Sequence, residues 1–301
     1  MNDNAIKIVE MAARDGLQSE RQPVPLETKV NLIERLADCG LQFIESGSFV
    51  RADRVPQMAN SSDVYSQLKR KPGVIYSALT PNLRGFNQAI DADADEVAIF
   101  ASASEGFSQK NLNCDIDTSL RRFEEVTQAA LEAGVPVRGY VSCILGCPYD
   151  GEIPTKQVID VTQKLFAMGC HEVALGDTIG TGTAGRTKAL LKTLSNEMPL
   201  ANIAMHLHDT YGQAVANIYA SLEAGVRTFD GSVGGIGGCP YAKGATGNVA
   251  TEDLVYLLDR EGFVHGTDLL KLCETGQWIS QQLGRQTASK VGLALLSKRE
   301  P

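Results

Sequence analysis

Apolar residues along this chain fall into two alternating patterns. Short β-branched and aromatic runs occupy 6–11, 43–49, 74–80, 96–102, 136–143, 172–178, 202–209 and 228–234, and each reads as a buried strand. The stretches between them place apolar residues three and four apart, which is the spacing of one helix face. In 26–39, Val30, Leu32, Ile33 and Leu36 form such a stripe, and 119–133, 155–168, 186–198 and 214–224 repeat it. Gly40, Gly134, Gly169 and Gly225 follow helical stretches just before the next strand. Glycine accepts the left-handed conformation that ends a helix. The unit returns every roughly 20–40 residues, as a strand–helix pair does in a barrel and not as a solenoid repeat.

Eight strand-then-helix units predict an α/β fold, a closed (β/α)8 TIM barrel. An open doubly wound sheet would want Gly-x-Gly-x-x-Gly after its first strand, and Met11-Ala-Ala-Arg-Asp-Gly16 is not that turn. Helical patterns continue at 251–258 and 267–283, with no linker-like shift in composition. We therefore expect one catalytic barrel domain over 1–301, with 262–301 as its C-terminal helical extension. An apolar stripe in that tail, Val291, Leu293, Leu295 and Leu296, suits packing on the barrel or on a second subunit. A homo-oligomer, dimer or higher, is expected.

Composition narrows the class. The chain has 301 residues, 43% of them hydrophobic, which is enough for a large buried core. Its net charge is −8 with no basic face, so no nucleic-acid partner is expected. No apolar run approaches the roughly 18 residues of a membrane span. The seven cysteines are irregularly spaced, and Met1-Asn-Asp-Asn does not resemble a signal peptide. This predicts reduced thiols and a cytoplasmic protein. Cys143 and Cys147 have no second pair at zinc-finger spacing, so no structural zinc site is expected.

Barrel chemistry sits at the C-terminal ends of the strands. There the first strand runs into Arg14-Asp15-Gly16, and the second carries Glu45, Ser46 and Ser48. The sixth ends in Gly176-Asp177-Thr178 and the seventh in His206-Leu207-His208-Asp209. The eighth opens into a glycine-crowded stretch, 231–248, with Cys239 in its middle and Asn248 at its end. Glycine costs backbone entropy, so the run predicts either a loop that closes over substrate or a floppy surface loop with an incidental thiol.

His206 and His208 lie two apart on a strand and point to one face. They form a bidentate scaffold for a divalent ion; the alternative is two histidines of core or surface. Asp15 offers a carboxylate oxygen and Asn248 an amide oxygen. Two nitrogen and two oxygen donors leave room for substrate oxygens in an octahedral shell, which suits Mg²⁺, Mn²⁺ or Co²⁺ better than a closed zinc site. Arg14 is a fixed cation beside this group, suited to an enolate or carboxylate oxygen, or to a salt bridge with Glu45 or Asp177. Glu45 would orient a ligand, and Asp177 would act as base or hydrogen-bond acceptor.

These residues resemble the 3-hydroxy-3-methylglutaryl-CoA lyase family over nearly the whole chain. The anchors are Arg14-Asp-Gly-Leu-Gln18, Ile44-Glu-Ser-Gly-Ser-Phe-Val50, Val55-Pro-Gln-Met58, Leu79-Thr-Pro-Asn82, Arg138-Gly-Tyr-Val-Ser-Cys143, Gly146-Cys-Pro-Tyr149, Leu175-Gly-Asp-Thr-Ile-Gly180, His206-x-His-Asp-Thr-Tyr-Gly212 and Ser232-Val-Gly-Gly-Ile-Gly-Gly-Cys-Pro-Tyr241. The last is close to a family identifier. The resemblance implies a barrel that binds Mg²⁺ or Mn²⁺ and cleaves an acyl-CoA, its substrate partner, to acetyl-CoA and acetoacetate by a retro-Claisen reaction. It implies Asp15, His206, His208 and Asn248 as metal ligands and Arg14 at the thioester oxygen. Cys239 matches the family's loop cysteine, and Asp177 and Glu252 its supporting acids. Ser48, Lys110 and Asn111 fall where the family contacts substrate or coenzyme A, and Glu45 joins Arg14 on the substrate side. The base would be Asp177, or His206 turning off the metal, and Cys239 or a water it orders the acid.

Two departures stand out: Ala12-Ala13 replaces the family's usual Gly-Pro, and Ala174 stands where some members have serine. Both bear on the substituent accepted at C3. A lyase for a longer C3 chain is thus one alternative. A forward Claisen synthase of the isopropylmalate or homocitrate type is another, although such enzymes usually lack the Gly-Gly-Cys-Pro-Tyr loop and carry long C-terminal domains. A non-catalytic barrel that binds metal or acyl-CoA is the third.

Overall fold

The computed structural model describes residues 4–238 and 247–298. Eight parallel strands close into a barrel in chain order: β1 (Lys7–Glu10), β2 (Phe43–Ser48), β3 (Ile75–Leu79), β4 (Glu96–Ser102), β5 (Val137–Ser142), β6 (Glu172–Asp177), β7 (Ile203–Leu207) and β8 (Thr228–Gly231). The closing pair is β1 with β8, in the register Val9 to Asp230. This is the (β/α)8 barrel that the alternation predicts.

The helices surround it: α1 (Leu26–Asp38), α2 (Ser61–Gln67), α3 (Leu83–Asp91), α4 (Glu105–Leu112), α5 (Ile116–Ala133), α6 (Thr155–Ala167), α7 (Ala184–Leu194) and α8 (Ala214–Ala224). After β8 come α9 (Thr251–Glu261), α10 (Leu269–Gln282) and α11 (Lys290–Leu296), which pack on one another, α10 also against α1. Among the described residues no helix is long and apolar enough to cross a membrane.

Side-chain alternation sorts the strands into two cores. Outward residues such as Ile44, Val97, Val141, Leu175, Met205 and Phe229 pack under the helices in the larger apolar cluster. Inward residues form a second one: Val9, Met11, Leu79, Ala98, Tyr140, Ala174 and Ala204. Beneath it the interior is charged. Arg138, 1% exposed, donates to Glu172 at 2.7 Å, to the Tyr140 hydroxyl at 2.7 Å and to Asp230 at 2.7 and 3.1 Å. Lys7 reaches Glu172 at 3.2 Å. Deleting one partner of such a buried set would strand a charge, which costs about 3–5 kcal/mol.

The predicted helix ends hold at Gly40, Gly134, Gly169 and Gly225, all with φ between 69 and 105°. The eighth strand stops three residues earlier than the pattern suggests. Gly234 and Gly235 take φ of 68 and 61°, turning Val233–Gly235 into a short 3-10 helix.

Candidate active site

Each C-terminal strand end delivers its side chain by a local device. After β1 the backbone makes a single π-helical turn, Ala12–Gly16, in which the Gly16 amide bonds to the Met11 carbonyl at 3.0 Å. Such turns recur at functional sites because they re-aim side chains. Here Arg14 and Asp15 turn into the mouth, and Ala12 and Ala13 are buried behind them. A Cβ on Gly16 would stand 2.7 Å from the Ile236 side chain, so this turn packs directly on the root of the glycine-rich stretch. That stretch is pinched at its base: a Cβ on Gly247 would lie 2.6 Å from the Gly237 backbone.

Asp15, His206 and His208 converge, their ligating atoms all within 4.8 Å of one another. The two imidazole Nε2 atoms are 3.3 Å apart, and they lie 3.8 and 4.0 Å from Asp15 Oδ2. Donors about 2.1 Å from an octahedral ion are about 3 Å apart along each edge, so these spacings suit one divalent cation. Asn248 closes the group, its side-chain amide 2.8 Å from Asp15 Oδ2, and its backbone bridges to His208. Burial, and next to it His206, pushes the His208 imidazole down to about 4, against the pull of Asp15. The ring is therefore neutral with a lone pair to offer, and its buried Nδ1 has no hydrogen-bond partner. The donor set fits a hard or borderline divalent ion.

A second ring of side chains aims the first. The Asp230 Oδ2 atom stands 3.1 Å from His206 Nδ1, leaving Nε2 directed at the donor cluster. Burial would raise the Asp230 carboxyl, but Arg138 and then His206 outweigh it and hold the group at about 2. Gln18 donates to Asp15 Oδ1 at 2.7 Å. Arg14 is 6% exposed, donates to Asp15 Oδ1 at 2.6 Å and pairs through Nε with Glu45. Glu45 also accepts from the Tyr140 hydroxyl at 2.6 Å. Burial opposes the Arg14 charge, and Glu45 and Asp15 more than restore it. The mouth is a cavity of about 390 Å³ whose wall includes Val55, Leu79, Phe100, Phe107, Asn111 and Thr178.

Several expected residues lie elsewhere. Asp177 points outward, because the inward residues of β6 are Glu172, Ala174 and Gly176, with Thr178 following in the mouth. Its oxygens accept from the Thr181 amide at 3.2 Å and the Gly182 amide at 2.8 Å, and burial raises its carboxyl. Glu45 sits under Arg14 and is not part of the mouth wall. Ser48 lines a neighbouring cavity with Arg51 and Arg84, and its buried hydroxyl has no partner. Lys110 is on the exposed side of α4, while Asn111 faces the mouth. Glu252 accepts from the Gly234 amide with both oxygens, at 3.0 and 2.9 Å, and so anchors the loop root. Burial lifts it to about 8. Cys239 lies outside the described residues.

The sequence reading missed four contributors. Asp230 and Tyr140 were legible as inward positions of their strands, two residues from Thr228 and Arg138. Gln18 closes the Arg14-Asp-Gly-Leu-Gln18 anchor, but nothing in that motif assigned it a role. Glu10, fully buried and lifted to about 7 by burial, accepts from the Val233 amide at 2.9 Å and from Thr251 at 2.6 Å. It holds the loop root from the other side.

Comparison with known proteins gives a consistent picture. The HMGL-like family model matches residues 5–279. A Pseudomonas aeruginosa protein named 3-hydroxy-3-isohexenylglutaryl-CoA/hydroxy-methylglutaryl-CoA lyase is 52% identical over 293 residues, covering 97% of this chain and 98% of its own. The crystal structure of hydroxymethylglutaryl-CoA lyase from the same organism superposes with a TM-score of 0.96 at 52% identity, covering 98% of both chains. An HMG-CoA lyase from Acinetobacter baumannii, solved with coenzyme A and 3-methylmalate, is 31% identical with a TM-score of 0.93, covering 98% of this chain and 96% of its own.

Proposed function

The chain belongs to the HMGL-like family, and from that premise we propose that it cleaves 3-hydroxy-3-methylglutaryl-CoA to acetyl-CoA and acetoacetate with a divalent metal. The observation that carries this reading is the Asp15–His206–His208 cluster with Arg14 beside it in one buried mouth. Asp15, His206, His208 and Asn248 would hold the ion, Mg²⁺ or Mn²⁺ with Co²⁺ as a further candidate. When bound, it supplies Lewis-acid polarisation of the substrate's oxygens.

The chain's own residues do the rest. The C3 hydroxyl proton passes to His206, which would turn off the ion to free its Nε2, or to Asp177; of the two, only His206 opens to the mouth. The C2–C3 bond breaks, C3 becomes the ketone of acetoacetate, and the electron pair moves onto the thioester as an enolate. Arg14, held in place by Glu45 and Asp15, stabilises that oxygen. Cys239, or a water it orders, returns a proton to C2 and completes acetyl-CoA. Glu10 and Glu252 keep the root of its loop against the barrel.

The catalytic unit is the whole chain, 1–301, with 262–301 as a helical extension. The six described cysteines are buried, in keeping with reduced thiols and a cytoplasmic protein. Leu293 on α11 is 39% exposed beside half-buried Val291, Leu295 and Leu296, a surface that suits a homo-oligomer.

A second reading has one observation behind it. Val55, Leu79 and Phe100 give the mouth an apolar wall that suits a longer C3 substituent, and the Pseudomonas relative's name includes the isohexenyl substrate. A panel of acyl-CoAs assayed for acetyl-CoA release separates the two. Fastest turnover of the methyl compound supports the first reading, and fastest turnover of a branched, longer one supports the second. Thiol release from acetyl-CoA and a 2-oxo acid would replace both with a synthase.

A further inference from the structure

We propose that Asp150 is a positioning residue for the acyl-CoA: it latches the turn 147–151 onto the first turn of α4 and so sets where Phe107 and Asn111 stand in the mouth. This rests on the lyase reading above. The Asp150 Oδ2 atom accepts from the Ser104 hydroxyl at 2.6 Å and from the Gly106 amide at 2.8 Å. A carboxylate at a helix N-terminus satisfies amides that have no partner within the helix, and it complements the helix dipole.

Ser104 is the hub of the latch. Its one proton goes to Asp150, its oxygen accepts from the Phe107 amide at 3.0 Å, and the Cys147 sulfur lies 2.9 Å away. With the Ser104 proton committed, the Cys147 thiol is the donor in that contact. The sulfur in turn accepts from the Tyr149 and Asp150 amides at 3.3 and 3.4 Å. The turn is closed by Cys147 and Gly151, whose backbones exchange bonds of 2.8 and 3.1 Å. A Cβ on Gly106 would lie 2.3 Å from Asp150 Oδ1, so turn and helix meet where no side chain fits between them.

The latch matters because of what α4 presents. Phe107 and Asn111 are four residues apart and share one helix face, and both line the cavity that contains Arg14, Asp15, His206 and His208. Asp150 is exposed and is not part of that wall, so it acts through α4 alone. The metal-binding side chains come from the turn after β1, the end of β7 and the segment after β8, and the latch touches none of them.

The test compares wild type, Asp150→Ala, Asp150→Asn and Gly106→Ala in the full chain, with kcat, KM, Mn²⁺ affinity, coenzyme A affinity and melting temperature as readouts. Loss of a charge-assisted bond should raise KM about tenfold and weaken coenzyme A by a similar factor. It should leave kcat within about twofold, and Mn²⁺ affinity unchanged. Gly106→Ala should reproduce the effect, and the double variant should be no worse than either single one, since both break one contact. An unchanged KM and coenzyme A affinity, a fall in kcat alone, or additive effects would overturn the latch. Coenzyme A binding reads it even if wild type fails to turn over, an outcome that would sink the lyase reading by itself.

Discussion

Asp230 stands directly behind His206, its Oδ2 3.1 Å from Nδ1, while Arg138 grips the same carboxylate from below. One strand pairing creates this relationship: His206 on β7 is in register with Asp230 on β8. The carboxylate fixes the ring so that Nε2 faces Asp15 and His208. Asp230→Asn should therefore weaken divalent-metal affinity by about 10–100-fold, with activity recovering as Mn²⁺ is raised. Calorimetric titration of the metal-free protein measures it, and an unaltered affinity would remove Asp230 from the site.

Arg14 is held from two sides by carboxylates yet remains on the wall of the mouth. In the proposed reaction its work lies in the transition state, where negative charge grows on the thioester oxygen. Arg14→Gln should lower kcat by about 10²–10³-fold or more while Mn²⁺ still binds. Near-normal turnover in steady-state kinetics would end its assigned role.

Glu10 and Glu252 give the fold a pH signature. Burial raises both above the ordinary 4.5, to about 7 and about 8. The folded state then holds protons that the unfolded chain has released. Their contribution is fully present below the unfolded value and is lost as pH rises through the folded ones. Stability should fall between about pH 5 and pH 8 through these groups, and Glu252→Gln should flatten that slope. Chemical denaturation across this range is the check; a slope identical in the variant would contradict the assignment.

Six cysteines are buried, several in apolar packing where burial also raises the thiol, Cys170 and Cys273 to about 12. Such thiols are poor nucleophiles. Inactivation by a thiol reagent should thus trace to Cys239. Cys239→Ser should slow turnover and abolish the sensitivity; a variant inactivated as fast as wild type would move the effect to another cysteine.

How much of this was legible beforehand depends on the length of each pattern. All eight strands were readable to within a few residues, because a buried parallel strand is a dense apolar run bounded by turns. Helices α2, α3 and α4 were not identified, and α11 was covered only by the expected helical extension without bounds of its own. They are seven to nine residues long, too short for a stripe to repeat, and three of them begin at caps: Asn82, Ser104 and Ser289. That His206 and His208 meet at one mouth was readable because histidines two apart on a strand must share a face. The side on which Asp177 falls required strand phase, which its place at a strand end does not supply. The hold of Glu45 on Arg14 depends on the π-helical turn, for which Ala12-Ala13-Arg14-Asp15-Gly16 carries no pattern.

The most direct test follows one sample through metal removal and return. The protein is stripped with EDTA, assayed for acetoacetate release from 3-hydroxy-3-methylglutaryl-CoA, then reloaded with Mn²⁺ or Mg²⁺ and assayed again, beside Asp15→Asn and His208→Ala variants. The account predicts no release from the stripped protein, full recovery on reloading, and variants that neither bind the ion tightly nor recover. Undiminished acetoacetate release from demonstrably metal-free protein would contradict it.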